Sequence, residues 1–280
     1  MARVAVITDS TASIPASLLP EDVRVVPLLV QVGARTVADD GSLPAAELIA
    51  AMKARQSVIT SRPAPSLLAA AYRDALSAGA ERVVSVHISA ELSGTWDSAR
   101  LAAQEFDYGQ VRVVDSRSTA MGLGFAVLAA AAAAADGADA GAVQDAAVAV
   151  VDRTACLFYV DNLDALRRGG RISASQAMLG TALSVKPLLH VQNGRIRPLE
   201  KVRTAGRAIA RLLDLAVTAA GDGAVEIAVQ HLGARARAEE IAAALTQRLP
   251  AARVVETSEV GAAVGAHTGP GTVGVIIRRP

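Results

Sequence analysis

Three short polar runs in the first half of the chain each stand where an apolar run ends. Asp9-Ser10-Thr11 follows Val4 to Ile7, Ser89 to Thr95 follows Val83 to Ile88, and Asp115-Ser116 follows Val111 to Val114. Short apolar runs bounded in this way read as strands. Ligands of open parallel sheets bind beyond the carboxyl ends of the strands, so the three runs are expected on one edge. Ser93-Gly94-Thr95 is the most informative of them, because it also opens a helical pattern. The free amides of a helix N-terminus favour an anion, and Gly94 permits close approach. Ser93 could equally do no more than cap its helix. No Gly-x-x-x-x-Gly-Lys-Ser/Thr run is present, so this is not a nucleotide-phosphate loop.

Two further segments carry usable chemistry. Thr60-Ser61-Arg62-Pro63 offers adjacent hydroxyls on a loop, where a plain turn is the competing explanation. Near the C-terminus, Gly265-Ala266-His267-Thr268-Gly269-Pro270-Gly271 sets one histidine in what reads as a glycine-fixed loop, able to donate to an anion or move a proton. His87, His190 and His231 lie in or beside apolar strand runs and read as structural. With four scattered histidines and no His-x-x-x-His pair, no metal site is expected. Gly169-Gly170-Arg171-Ile172-Ser173 presents Arg171 on a hinged loop, to a ligand, a partner or the other half of the chain. The single Cys156 sits in Ala155-Cys156-Leu157-Phe158 and reads as a small buried hydrophobe.

Strands alternating with helices must position these groups. Helical patterns cover Pro44 to Ala54, Leu67 to about Ala78 with Ser66 as its cap, Ser93-Gly94 towards Glu105, and about Ser118 to Ala135. Val23 to Val30 reads as one further β-branched run. The second half gives strands at Leu157 to Val160, Val225 to Gln230, Arg253 to Glu256 and Val273 to Arg278. Its helices fall at Leu163 to Arg168, Ser175 to Ala182, Ala205 to Ala220 and Ala236 to Arg248. Val185 to Val191 and Arg195 to Leu199 flank Asn193-Gly194, a hairpin signal. The expected fold class is α/β in two domains. Residues 1–153 form a Rossmann-like domain on a parallel sheet, and residues 154–280 an α+β domain with a mixed or antiparallel sheet.

Bulk properties narrow the function. Of 280 residues, 52% are hydrophobic and 20% charged, which predicts a folded core. The net charge of +1 and scattered arginines argue against nucleic acid and against a basic membrane-binding patch. The longest apolar run, Ala120 to Ala135, is short for a bilayer span, and the start of the chain has no signal-peptide layout. A cytoplasmic location without stable membrane insertion is the expectation.

Taken in order, these segments make the chain resemble the DegV family, which includes the fatty-acid-binding subunits of bacterial fatty acid kinase. The resemblance runs nearly end to end through Ile7-Thr8-Asp9-Ser10-Thr11-Ala12, Thr60-Ser61-Arg62-Pro63, Leu92-Ser93-Gly94-Thr95 and Asp115-Ser116. It continues in Gly169-Gly170-Arg171-Ile172-Ser173, Lys186-Pro187-Leu188-Leu189 and Gly265 to Gly271. It implies a protein without a cofactor that holds a long-chain fatty acid, such as palmitate or a C16–C18 relative, within or between its domains. It further implies that Thr60, Ser93 and His267 grip the carboxylate beside Gly94, with Arg171 near that site or a partner surface. The fatty acid would be presented to a separate ATP-dependent kinase subunit, which forms an acyl phosphate. Ser61, Asp9, Ser10, Asp115 and Ser116 are further candidate contacts. Two positions depart from the family pattern: Arg62 where Gln is commoner, and Ala174 where Lys often follows the Gly-Gly-Arg-Ile-Ser loop.

Three rival readings stay open on the residues alone. One is a stand-alone hydrolase using Ser93, His267 and Asp9 or Asp115, although Ser93 lacks a Gly-x-Ser-x-Gly elbow. The second is a lipid-sensing regulatory domain. The third, from fold-level kinship with dihydroxyacetone kinase subunits, is a kinase for a small hydroxylated substrate, which would need a partner to bring the nucleotide.

Overall fold

In the computed structural model, which describes residues 3–173 and 185–280, the strand runs of the first half form a parallel sheet. Its order is β2 (Arg24–Val26), β1 (Val4–Asp9), β6 (Arg82–His87) and β7 (Val111–Asp115). Alternation along each strand assigns its two faces. Val4 and Val6 of β1, with Val84 and Val86 of β6, join one core, whereas Ile7 and Val83 join another. The second face is covered by α2 (Pro65–Ser77) and α3 (Thr95–Ala103) through Leu68, Tyr72 and Ala99. The first is covered by α4 (Met121–Ala135) and α5 (Ala140–Val151). Burial on both faces is why these strands read as near-continuous apolar runs.

The second half builds a mixed six-stranded sheet. Its order is β10 (Arg195–Val202), β9 (Lys186–Gln192), β8 (Thr154–Tyr159), β13 (Val273–Arg278), β11 (Glu226–His231) and β12 (Arg253–Glu259). Only β11 and β12 run parallel. Asn193 and Gly194, at φ +50 and +77, make the expected hairpin turn between β9 and β10. One face of this sheet carries Tyr159, Leu188, Ile227 and Val275 under α7 (Ala205–Ala220) and α8 (Arg235–Arg248). The other face presents Cys156, Phe158, Leu189 and Ile276 to α4. The layers therefore run helix, sheet, helix, sheet, helix, with α4 between the sheets. Met121 to Val127 are all buried, nearly two full turns, so no side of this stretch meets water. The buried Gln230 of β11 ties the layers together: its Oε1 accepts from Met121 N–H at 2.8 Å and its Nε2 donates to Ser13 O at 2.9 Å.

Several elements differ from the sequence reading. Val23 to Val30 splits into β2 and β3 (Leu29–Val32). With β4 (Arg35–Ala38) and β5 (Val58–Ser61), β3 makes a small antiparallel sheet, β4-β3-β5, which the sequence did not signal. α1 (Ala45–Lys53) packs on this sheet. Ser66 is not a cap: α2 starts at Pro65 with Ala64 as its N-cap and no side-chain cap bond. Pro65 suits the first turn because its missing N–H would have had no partner there. The chain near His267 is not a free loop. It is α9 (Ala262–Thr268), which packs beside α6 (Asp164–Arg168), and His267 stands in its last turn. α9 belongs to the second half by sequence but packs by Ala263 and Ala266 against Leu28, Val30 and Leu48 of the first. The expected helix at Ser175 to Ala182 lies outside the described residues.

Because α4 is closed on every side from Met121 to Val127, enlarging it there should strain both sheets. Ala126→Leu, at a fully buried position, is expected to lower the urea-unfolding free energy by about 1–3 kcal/mol. Ala132→Leu, on the exposed part of the same helix, is expected to stay within about 0.5 kcal/mol of the parent.

Candidate ligand-binding site

The polar ends of the parallel strands do share one edge, since β1, β6 and β7 run in register and His87 pairs with Asp115. Most of their polar groups are, however, used up within the fold. Asp9 is fully buried and accepts from four donors: the Thr11 amide and hydroxyl, Ile88 N–H at 3.0 Å, and His87 Nδ1 at 2.9 Å. His87 Nε2 lies 2.7 Å from Ser85 Oγ, which also accepts from the Tyr72 hydroxyl at 3.0 Å. This Asp-His-Ser series copies the order of a hydrolase triad, yet Asp9, His87 and Ser85 are fully buried, so no substrate reaches it. Ser10 Oγ accepts from Leu28 N–H, Asp115 from Arg117 N–H and Ala90 N–H, and Ser116 bonds to the Ser118 backbone. Ser61 is exposed, opposite Leu29 in the small sheet. None of Asp9, Ser10, Ser61, Asp115 and Ser116 lines the cavity described next.

That cavity brings together Thr60 from β5, Ser93 ahead of α3, Arg171 from the loop after α6, and His267 from α9. Its volume is about 50 Å³. Leu28, Ile88, Leu92, Leu166, Ile196 and Val264 supply the apolar wall. Thr11 and Thr119 also reach it. Thr119 ends the polar run that begins at Asp115, but the helical pattern taken from about Ser118 hides it; the helix starts only at Met121. Gly169, expected as a hinge of the Arg171 loop, also decides how close His267 can come: a Cβ there would overlap His267 Nδ1.

The histidine is the pivot. Its Nε2 lies 2.8 Å from Thr60 Oγ1, and its Nδ1 is buried with no hydrogen-bond partner. Burial pushes its pKa from 6.5 down to about 4, with the nearby Arg171 charge acting in the same direction. It is therefore neutral near pH 7. A bare Nδ1 lone pair is less costly than a bare N–H, which assigns the proton to Nε2 and makes Thr60 Oγ1 the acceptor. The Thr60 hydroxyl hydrogen is then free to donate into the cavity.

Arg171 is half-buried, and desolvation lowers its pKa. Its Nε donates to Leu92 O at 2.9 Å, fastening the two halves of the chain, and its Nη1 donates within its own loop to Gly169 O, so its charge flanks the cavity. Ser93 Oγ lies 2.9 Å from Thr95 Oγ1 and accepts from Thr95 N–H, rather than bonding His267. Gly94 serves a different close approach from the expected one. Arg62 lies where its Cβ would be and donates to Gly94 O at 3.3 Å. Together the cavity offers neutral donors and one flanking cation against an apolar wall, which suits the anionic end of an apolar molecule. Among the described residues, no group of three or more His, Cys, Asp or Glu side chains could hold a metal ion, and no helix is long and apolar enough to cross a membrane.

A wider cleft of about 1000 Å³ is also lined by His267. It is bounded by the end of α1 and by Asp161, Arg168 and Thr268.

With this geometry in place, comparison with known proteins is specific. The family model described as "Uncharacterised protein, DegV family" matches residues 3–279. A DegV domain-containing protein of Streptomyces coelicolor is 49% identical over 280 residues, covering 98% of each chain. Among solved structures, a DegV family protein from Thermus thermophilus, described for its fatty acid binding, is 34% identical with a TM-score of 0.87; the match covers 99% of this chain and 100% of that one. DegV from Bacillus subtilis, described as a fatty acid binding protein, is 31% identical with a TM-score of 0.89, covering both chains fully. The matched length and the shared α/β arrangement of a parallel and a mixed sheet lead to one conclusion: this chain belongs to the DegV family.

Proposed function

We propose that the chain binds a long-chain fatty acid, of the C16–C18 class that includes palmitate. The acyl chain is buried, and the carboxylate is presented to a separate ATP-dependent kinase subunit for acyl-phosphate formation. The observation that carries this reading is the meeting of Thr60, Ser93, Arg171 and His267 in one cavity with an aliphatic wall. The fatty-acid-binding relatives from Thermus thermophilus and Bacillus subtilis support the ligand class. No activity of the chain by itself is invoked, because Ser93 is not hydrogen-bonded to a base and the buried Asp-His-Ser series is closed to substrate.

The energetics are favourable. Burial of an alkyl chain gains about 0.8 kcal/mol per CH₂, so a C16 chain offers on the order of 10 kcal/mol before ordering costs. A desolvated carboxylate would cancel much of that without donors. In this reading the carboxylate accepts from the Thr60 hydroxyl, oriented by His267, and from the Ser93 hydroxyl, while Arg171 balances its charge from the side. An oxygen held by neutral donors keeps a lone pair for attack on a phosphoryl group. The wider cleft that shares His267 gives a partner room to approach. A cavity of about 50 Å³ admits one or two waters or a head group, so the alkyl chain enters by parting Leu92, Leu166 and Ile196.

Displacement of a fluorescent fatty acid by palmitate tests the head-group contacts. Thr60→Ala and Ser93→Ala should each weaken binding about 10- to 100-fold, the loss of one hydrogen bond to a charged group, and His267→Ala, which leaves the Thr60 hydroxyl unoriented, should weaken it in the same direction. Ser61→Ala should bind like the parent. Unchanged affinity in all three cavity variants would refute the assignment.

The histidine also sets a pH dependence. Its folded pKa of about 4 lies below the 6.5 of the free side chain. Its contribution to stability is therefore complete above about pH 6.5 and is lost as the pH falls towards 4. His267→Gln should flatten the fall in urea-unfolding free energy between pH 6.5 and 4.5. A remnant should stay, because burial lowers His190 and His231 too. Equal slopes in parent and variant would contradict a buried neutral His267.

A further inference from the structure

α9 is gripped at both ends by the first half of the chain. At its end, His267 meets Thr60 of β5. At its start, Gly261 N–H donates to Ser13 Oγ at 3.2 Å and Ala262 N–H donates to Asp39 Oδ1 at 2.8 Å. The Ala263 amide also faces the Asp39 carboxylate. These are orphan amides of a helix start, which need acceptors from elsewhere. Two costs accompany the arrangement. Ser13 holds φ +46, a left-handed conformation that a residue with a Cβ adopts under strain. Asp39 is buried, and desolvation raises its pKa against the lowering effect of hydrogen bonds from Ser10, Ala263 and Ala262. A fold that only needed to start a seven-residue helix could use a cap from the neighbouring chain. Here two distant segments converge instead, one of them through a buried carboxylate.

We infer that Asp39 and Ser13 are positioning residues for the ligand site: by capping α9 they fix the axial placement of His267, and through it the direction of the Thr60 hydroxyl. Neither residue lines the cavity itself. The path is short and rigid, one carboxylate, under two turns of helix, one imidazole and one hydroxyl. It also couples the small antiparallel sheet, which carries both Asp39 at its rim and Thr60 in β5, to the histidine at two points. This explains why that sheet and α9 share one core despite lying more than 200 residues apart in the chain.

The test reads the histidine directly, without ligand. The chain has four histidines, so their ring protons can be followed by NMR during a pH titration and His267 assigned from His267→Gln. In the parent protein His267 should titrate at about 4. Asp39→Ala should let α9 shift and the ring hydrate, raising that midpoint by about one unit or more towards the free value. Asp39→Asn keeps an acceptor for Ala262 N–H and should restore the parent midpoint. Ser13→Ala removes only the hydroxyl cap and should move the midpoint in the same direction by less, which keeps the test open if Asp39→Ala does not fold. Ala126→Leu, which strains the core elsewhere, should leave His267 unmoved. A parent-like midpoint in Ser13→Ala and in folded Asp39→Ala would overturn the inference, as would an equal shift in Ala126→Leu. The consequence for binding rests on the fatty-acid reading. Palmitate affinity should fall in Asp39→Ala and recover in Asp39→Asn. If the titration behaves as stated and no variant or parent binds palmitate, the positioning role stands and the ligand assignment falls.

Discussion

The first two turns of α4, Met121 to Val127, have no wet side and are covered by two sheets at once. Gly124 leaves room for Ile14 and the Ala12 carbonyl against the start of the helix, and Gln230 satisfies the Met121 amide there. This packing constraint makes the two halves of the chain one body. The loops after the parallel strands and the loops of the mixed sheet then meet along one seam. The cavity that holds Thr60, Ser93, Arg171 and His267 lies there. The seam is fastened by Arg171 on Leu92 O, by Ser89 Oγ on Gly194 O, and by the Glu91–Arg195 ion pair.

The electrostatics of the cavity follow from the same burial. Desolvation keeps His267 neutral near pH 7 and leaves Arg171 as the nearby charge. A carboxylate entering the seam would meet hydroxyl hydrogens first and a guanidinium at its flank. That differs from a bidentate arginine clamp, which would hold the anion more tightly and occupy the oxygen lone pairs. The distinction matters for the proposed role, in which the cargo reacts in another protein's active site.

The parts of the fold that could be read from sequence are those with strong local periodicity. The buried parallel strands, the Asn193-Gly194 hairpin and the long helices with clear stops were all legible. The small antiparallel sheet was not, because its strands are short and partly exposed and have no clean alternation. α5 was missed because an alanine-rich stretch shows little contrast between faces. His267 was placed in a loop because Gly265, Gly269 and Gly271 surround it; packing of Ala263 and Ala266 on the small sheet overrides that local preference. Polar residues at strand ends were over-read as ligand contacts. Asp9 looked like an edge carboxylate and is instead a fully satisfied core acceptor, a distinction that spacing alone does not carry. Gly94 was read as room for a ligand, and Arg62 fills that room.

The central claim is that the seam holds a fatty acid by its carboxylate. Its most direct test is mass spectrometry of the intact purified protein, followed by organic extraction and exchange against carboxyl-labelled palmitate. The account predicts a near-stoichiometric C16–C18 fatty acid on the protein, replaced by labelled palmitate in the parent and poorly retained when Thr60 and Ser93 are both alanine. Protein free of lipid that takes up no label, or label retained equally by the double variant, would contradict it.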